Sequence, residues 1–491
     1  MIFLIFLVII ALWLFEQMYW RRRKLPPGPM PWPLVGNIPH VFAKQPGFDA
    51  YLDWEKEYGP VHTYYLGNMA CVAITDYDLL KKYIVNQGEK FSDRYHMQEF
   101  IDMYRGGNYG IIEADGDFWV KQRRFAISTL RDFGMGKNIM EQRVCEEIDH
   151  MFKMIEKSGN KLTARRLFTI GVGNIINSVL FGYRYDENNE HELWKIRDAL
   201  MRQQTEFIGV RGMIVFHIPF MRRIPGFSGF WERLEVYRDE FFGFFQKQID
   251  DHLKEIDFEC EESNDIMEVY LKEQRKHRNE PDEGGYSEIQ LRNIVFDIWI
   301  AGLETTTTTL MWGINFLLNH EGIMEKMQKE LDRVVGHERK VEMNDKNQLH
   351  YCQAVVSEIQ RFLNLLPQNL FRIATEDVQI EEYFIEKGTI IIPQISCVMY
   401  NEKIFPEARK FKPERFLNED GTYKKYQELI PFSLGKRQCA GEGLARLELF
   451  LFFTNLIHRY EITSDEKPTM ERSFKTLIHT PDFTCNFKPR F

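Results

Sequence analysis

The chain has 491 residues, of which 44% are hydrophobic, 14% aromatic and 27% charged, enough apolar matter for a large core and too much for a disordered chain. Its formal net charge of −9 argues against nucleic-acid binding, which needs a dominant basic surface. Seven widely spaced Cys without a Cys-x-x-Cys pair argue against a disulfide framework or a structural zinc site.

Met1 to Phe15 is uninterrupted apolar sequence, and Met18, Tyr19 and Trp20 extend it past Glu16 and Gln17. As a helix, about twenty residues would span ~30 Å, the thickness of a bilayer core. Arg21, Arg22, Arg23 and Lys24 follow at once. Because positive residues stay on the cytoplasmic side, residues 1–20 are predicted to be a single membrane anchor with the remainder cytosolic. A cleaved signal peptide would carry its charge before the apolar stretch and a small-residue site after it. Neither is present. The proline-dense run from Leu25 to Pro33 makes residues 21–38 a basic, semi-rigid linker.

Beyond it no repeat or second linker divides the chain, so residues 39–491 are predicted to form one domain. Period-2 alternation clusters at Val61 to Ile74 and Val378 to Ile392, with long helical patterns between. The predicted fold is mainly α with a small β region built from both ends of the chain. The charged stretch from Lys254 to Gly285 reads as exposed helix and loop.

Trp119 and Arg123 lie four apart on a helical pattern and share a face. Ser287-Glu288-Ile289-Gln290 reads as a capping box opening a helix that runs toward Leu318. Its middle, Ala301-Gly302-Leu303-Glu304 and then Thr305 to Thr309, mixes small and β-branched residues. Local distortion is expected there, where small side chains let a flat cofactor approach. Farther on, Phe432-Ser433-Leu434-Gly435-Lys436-Arg437-Gln438-Cys439-Ala440-Gly441 precedes a helical run from Leu444 to His458. Glycines permit close backbone approach, while the helix start and Arg437 supply the positive environment a thiolate needs. Taken alone, a buried structural cysteine is the usual reading of such a residue.

This segment resembles the haem-binding signature of the cytochrome P-450 superfamily, Phe-x-x-Gly-x-Arg-x-Cys-x-Gly, at every specified position, and the resemblance extends along nearly the whole chain. It is similar to the microsomal animal members that oxidise drugs, foreign compounds and lipids; Arg131-Asp132-Phe133-Gly134-Met135-Gly136-Lys137 also matches that group. The resemblance implies a cytochrome P-450 fold holding haem b, with Cys439 as the iron's sulfur ligand and Phe432, Gly441 and Ala301 against the cofactor. Trp119, Arg123, Arg372 and Arg437, with Arg94 as a further candidate, would hold the haem propionates. The Ala-Gly-x-Glu-Thr block implies that Thr305 hydrogen-bonds the dioxygen being activated and that Glu304 helps deliver protons. On its own that block reads equally as a helix with a solvated acid and a packed threonine stripe. Glu358-Ile359-Gln360-Arg361 and Pro413-Glu414-Arg415-Phe416 resemble the family's structural pair, one carboxylate between two guanidiniums. Phe371 stands where many relatives have Pro, and Tyr400 where His is common.

The implied activity is insertion of one atom of dioxygen into a lipophilic substrate: a xenobiotic, a fatty acid or a steroid-like compound. The chain has no GxGxxG fingerprint, so electrons from NADPH would arrive through a separate membrane-bound reductase, with a cytochrome b-type protein as a further donor. Lys121, Arg131, Lys137 and Lys436 are the expected cationic docking residues. The expected address is the cytosolic face of the endoplasmic reticulum membrane. By the same resemblance, pocket walls are expected at Arg94 to Ile112, at Met201 to Ile214, near Phe296, Asp297, Ile300 and Ala301, at Leu366 to Phe371 and at Leu477 to Thr480, with Asp297 either meeting a basic or hydroxylated substrate group or bonding within its helix. An isomerase or peroxygenase on the same fold is the alternative.

Overall fold

The computed structural model describes residues 2–44, 48–133, 138–208, 210–217, 219–474 and 477–491. The N-terminal apolar stretch forms α1 (Ile2–Met18), 17 residues long. At ~1.5 Å per residue it covers about 25 Å, less than a bilayer core. Among the described residues no helix is long and apolar enough to cross a membrane. The twenty-residue span expected from sequence is shortened because Tyr19 leaves helical geometry and Trp20–Arg22 tightens into a 3-10 turn. The proline-rich run is not a free spacer. Pro27 O accepts from Thr63 N–H at 2.8 Å, and the Asn37 side chain bonds Met30 O and Tyr65 N–H, which pins residues 27–37 along a strand edge.

That strand is β1 (Val61–Leu66), paired antiparallel with β2 (Met69–Ile74). With β3 (Asp93–Arg94), β4 (Arg372–Ile373) and β5 (Ile390–Pro393) they form a five-stranded sheet in the order β1-β2-β5-β4-β3. The β2–β5 pair is parallel and joins early to late sequence, as the two alternating stretches imply. The register sets Arg94 directly opposite Arg372.

The helical body is built from α2 (Gly116–Asp132), α3 (Ala164–Phe181), α4 (Glu190–Ile208), α5 (Glu288–Asn319), α6 (His350–Leu363) and α7 (Glu442–Arg459), with further helices around them. α3, α5 and α7 are buried along most of their length, which explains their weak amphipathicity: a helix enclosed on all sides is apolar all round. Ser287 caps α5 by accepting from Gln290 N–H, while the Gln290 side chain pairs with the backbone of Gly110 instead of closing the expected box. α5 runs as regular α-helix through the threonines, without the expected distortion.

α6 carries the predicted structural pair. Glu358 and Arg361 are fully buried, with Arg361 Nε and Nη2 donating to the two carboxylate oxygens at 2.7 and 2.8 Å. Arg415 Nε and Lys412 N–H complete the shell around Glu358, and Arg361 also reaches Met399 O and Ala408 O.

Candidate haem-thiolate site

Cys439 lies where a folded-back loop enters α7. Its N–H donates to Phe432 O and that of Gln438 to Gly435 O, both at 3.0 Å. Gly435 has φ +76, and any side chain there would strike the Ile84 carbonyl, so glycine is required. Ser433 also takes a positive φ of 63; its hydroxyl accepts from Asn369 and Arg372, tying the loop to β4. Phe432 lies under the Arg446 guanidinium, 4.8 Å from its ring centroid.

Cys439 keeps accessible surface, yet burial raises its thiol pKa; the Gly441 N–H and Arg123 pull it down, while Glu442 pushes it up. On α5, Ala301 and Thr305 keep accessible surface while Leu303, Glu304 and Thr306 are buried. Arg123 is the guanidinium whose charge lowers the thiol.

Four guanidiniums gather beside the loop. Arg372 is 1% exposed; its Nη2 donates to Leu434 O at 3.0 Å, but Nε and Nη1 have no acceptor. Burial, followed by repulsion from Arg94, Arg437 and Arg123, drives it well below the usual arginine range. Arg94 is pushed down to about 10, first by burial. Arg437 falls to about 9, by burial and by Arg94. The Arg437 guanidinium stacks 3.8 Å from the centroid of Trp119, whose buried indole N–H also lacks an acceptor. Among the described residues, Asp115, 2.9 Å from Arg437, is the one carboxylate ion-paired with any of the four.

Of the expected donors, Arg372 and Trp119 keep open N–H groups, while the other three guanidiniums bond protein acceptors. Arg437 spends its N–H groups on Ser92 O, Ile111 O, Ile112 O, Ala114 O and Asp115, which exhausts its five donors. Arg94 is occupied by Ile112 O, Leu370 O and Phe371 O, and Arg123 donates to Gln438 O. Unsatisfied buried N–H groups and mutually repelling arginines are costly unless an anion enters. A dianionic planar cofactor fits this arrangement.

Sequence reasoning missed several partners. Glu304 is buried against Arg197, Oε1 lying 2.6 Å from Nε, so α4 supplies its counter-ion from 107 positions away, where no local pattern shows it. Asp297 bonds outside its own helix. Its Oδ2 accepts from Ile111 and Ile112 N–H at 2.7 and 2.9 Å and its Oδ1 meets Arg105 at 2.7 Å, which fastens the 105–112 segment to α5. His96 bridges Asp115 (2.5 Å) and Glu113 (3.2 Å); burial opposes its charging, but the two carboxylates raise it to about 9.

A largely apolar cavity of about 430 Å³ gathers Arg94, Phe100, Ile112, Phe207, Leu366 and Phe371 from the expected walls, and adds Val41, Tyr51, Leu66, Met69 and Phe216. Phe296 instead packs among Phe241, Phe242 and Phe245. Leu477 and Thr480 are buried, and Ile478 O accepts from Trp312. Of the expected docking residues, Lys121 donates to Gly284 O, Lys436 pairs with Glu89 at 2.6 Å, and Arg131 is exposed. Lys137, with the Gly134–Gly136 part of its motif, lies outside the described residues. A separate cleft of about 760 Å³ on the loop side is lined by Lys81, Lys346, Lys425 and Arg446, with Glu442 its single acid.

The cysteine loop before α7, the accessible stretch of α5 and the open donors of Arg372 and Trp119 fit the class of haem-binding oxidoreductases. The family model for cytochrome P450 matches residues 26–487. The chain is 36% identical to cytochrome P450 2H2 of Gallus gallus over 92% of its own length and 89% of that protein's. It is 35% identical to cytochrome P450 2C4 of Oryctolagus cuniculus (94% and 92% covered) and 32% identical to 2A11 of the same species (96% and 95%). This protein belongs to the cytochrome P450 family, is a monooxygenase, and takes haem b as its cofactor.

Proposed function

We propose that the chain inserts one atom of dioxygen into a lipophilic substrate, with electrons from NADPH delivered by a separate reductase. The observation that carries this reading is the guanidinium nest with unsatisfied donors on Arg372 and Trp119 beside the Cys439 loop. Haem b, when bound, supplies the iron at which dioxygen is reduced and cleaved, and a thiolate ligand favours that cleavage. Cys439 provides the sulfur, and the Gly441 N–H stabilises its negative charge. Arg372 and Trp119 hold the propionates; Arg94, Arg123 and Arg437 supply positive field, the last mainly by fixing the 111–115 loop. Ala301 presents backbone without bulk, and Phe432 and Gly441 frame the loop. The Thr305 hydroxyl, bonded to Ala301 O at 2.6 Å, holds a proton at the accessible surface of α5. Glu304, released from Arg197, would take a proton from water and pass it to the Thr305 hydroxyl. The apolar cavity supports a lipophilic substrate.

α1, with exposed Ile5, Val8, Ile9, Leu12 and Phe15 and the basic residues after it, is read as a membrane anchor, and 39–491 as one catalytic domain on the cytosolic face of the endoplasmic reticulum. The Lys81, Lys346, Lys425 and Arg446 cleft suits an acidic reductase or cytochrome b-type surface. Reduction is expected to slow as salt rises and on Lys425→Glu; salt-insensitive reduction would remove this surface from the account.

The deciding experiment is the carbon monoxide difference spectrum of reduced wild type and Cys439→Ser. A strongly red-shifted Soret band lost in the variant is expected. Haem with an unshifted band in the wild type would assign another ligand.

A further inference from the structure

We propose that Glu448 is a positioning residue for the reaction: from α7 it fixes, through Thr306, the stretch of α5 that carries Thr305. The inference rests on the role given to Thr305 above. Glu448 is 1% exposed, and its Oε2 accepts from Thr306 Oγ at 3.2 Å while Oε1 has no partner. Thr305 and Thr309 donate back to the carbonyls of Ala301 and Thr305, as threonines in helices do. Thr306 turns away from its own helix. Its bond to Glu448 is the one hydrogen bond between α5 and α7 among the described residues.

A buried carboxyl with no counter-ion gives no stability that an apolar side chain of equal volume would not exceed. Its place between α7 and the threonine stretch of α5, with one hydrogen bond joining the two helices there, points to geometry. Burial pushes Glu448 up to about 8 against the Thr306 bond, and no charged side chain acts on it. Among the described residues no ion pair reaches Glu448; on the elements packed against α7, Glu304 pairs with Arg197, Glu358 with Arg361 and Arg415, Glu141 accepts from Met343 N–H, and Glu330 accepts from Tyr351 and Cys352 N–H. On α7 itself Glu442 pairs with Arg446. At neutral pH the carboxyl thus keeps its proton, and Thr306 is held by a neutral hydrogen bond. Loss of that proton puts an unpaired charge into the seam behind Thr305.

The test compares wild type with Glu448→Gln, Glu448→Leu and Thr306→Val in the full chain. An infrared carbonyl band of a protonated, buried carboxyl should titrate near pH 8 in wild type and vanish in Glu448→Gln. In the holoenzymes, Glu448→Leu and Thr306→Val should each lower the fraction of NADPH electrons recovered in product about fivefold at neutral pH, with the thiolate carbon monoxide band intact. That fraction should fall in wild type above pH 8 and stay flat in Glu448→Gln. Unchanged yields in both Leu and Val variants, or one pH profile shared by wild type and Glu448→Gln, would overturn the proposal. A missing carbon monoxide band in wild type would instead overturn the haem reading, and the infrared titration, which needs no haem, still decides whether Glu448 holds its proton.

Discussion

Arg372 concentrates the cost of the site in one side chain: fully buried, opposite Arg94 on the neighbouring strand, and with two nitrogens, Nε and Nη1, left without acceptors. Like charges directly opposed in a sheet destabilise it, so this arrangement persists for an anion. Arg372→Leu is expected to lower haem per polypeptide several-fold while the unfolding midpoint of the haem-free protein holds or rises, by ~1 kcal/mol in stability. Haem absorbance against protein, and thermal melts, measure the two. A parallel loss of haem and stability would make Arg372 structural. Asp297 behaves oppositely, since Asp297→Asn breaks a buried pair with Arg105. It should cost ~3 kcal/mol in denaturant unfolding.

Among the elements, α6 is the keystone, because Glu358 holds Arg361, Arg415 and the Lys412 backbone at once. Glu358→Ala strands two guanidiniums and should cost ~3–5 kcal/mol, with haem and fold lost together in one transition. A stable, haem-replete variant would contradict it. The α5 cap is milder: Ser287→Ala removes the acceptor for Gln290 N–H and should cost ~1 kcal/mol in the melt, with the site unchanged. Gln290 reaches Gly110 from the same turn, so α5 and the 105–112 loop move as one piece.

For the molecule as a whole, His96 sets a pH dependence. Its folded value of about 9 exceeds the ordinary histidine value of 6.5, so the folded state binds the extra proton. The stabilisation, up to ~3 kcal/mol, is complete below pH 6.5 and is lost as pH rises through 9. His96→Gln should flatten the decline of denaturant stability across that window; an unchanged slope would show that the Asp115 and Glu113 bridge does not form. Glu448 slopes the same way: burial raises it from 4.5 to about 8, so the folded state loses stability as pH rises across that window.

What the sequence determined by itself was local chemistry: the cysteine loop, the Ala301-to-Thr309 block, the Glu358 pair, the Trp119–Arg123 face and the two alternating stretches that meet in the sheet. Each is written in residues a few positions apart, where spacing maps directly onto geometry. Tertiary structure decided which groups have partners. Arg437 is saturated while Arg372 is open, Glu304 belongs to Arg197, Asp297 belongs to Arg105, and Glu448 is alone with Thr306. These depend on contacts between segments up to hundreds of residues apart and on which charge loses its water. Burial and pairing are properties of the packed whole, and no spacing along the chain encodes them.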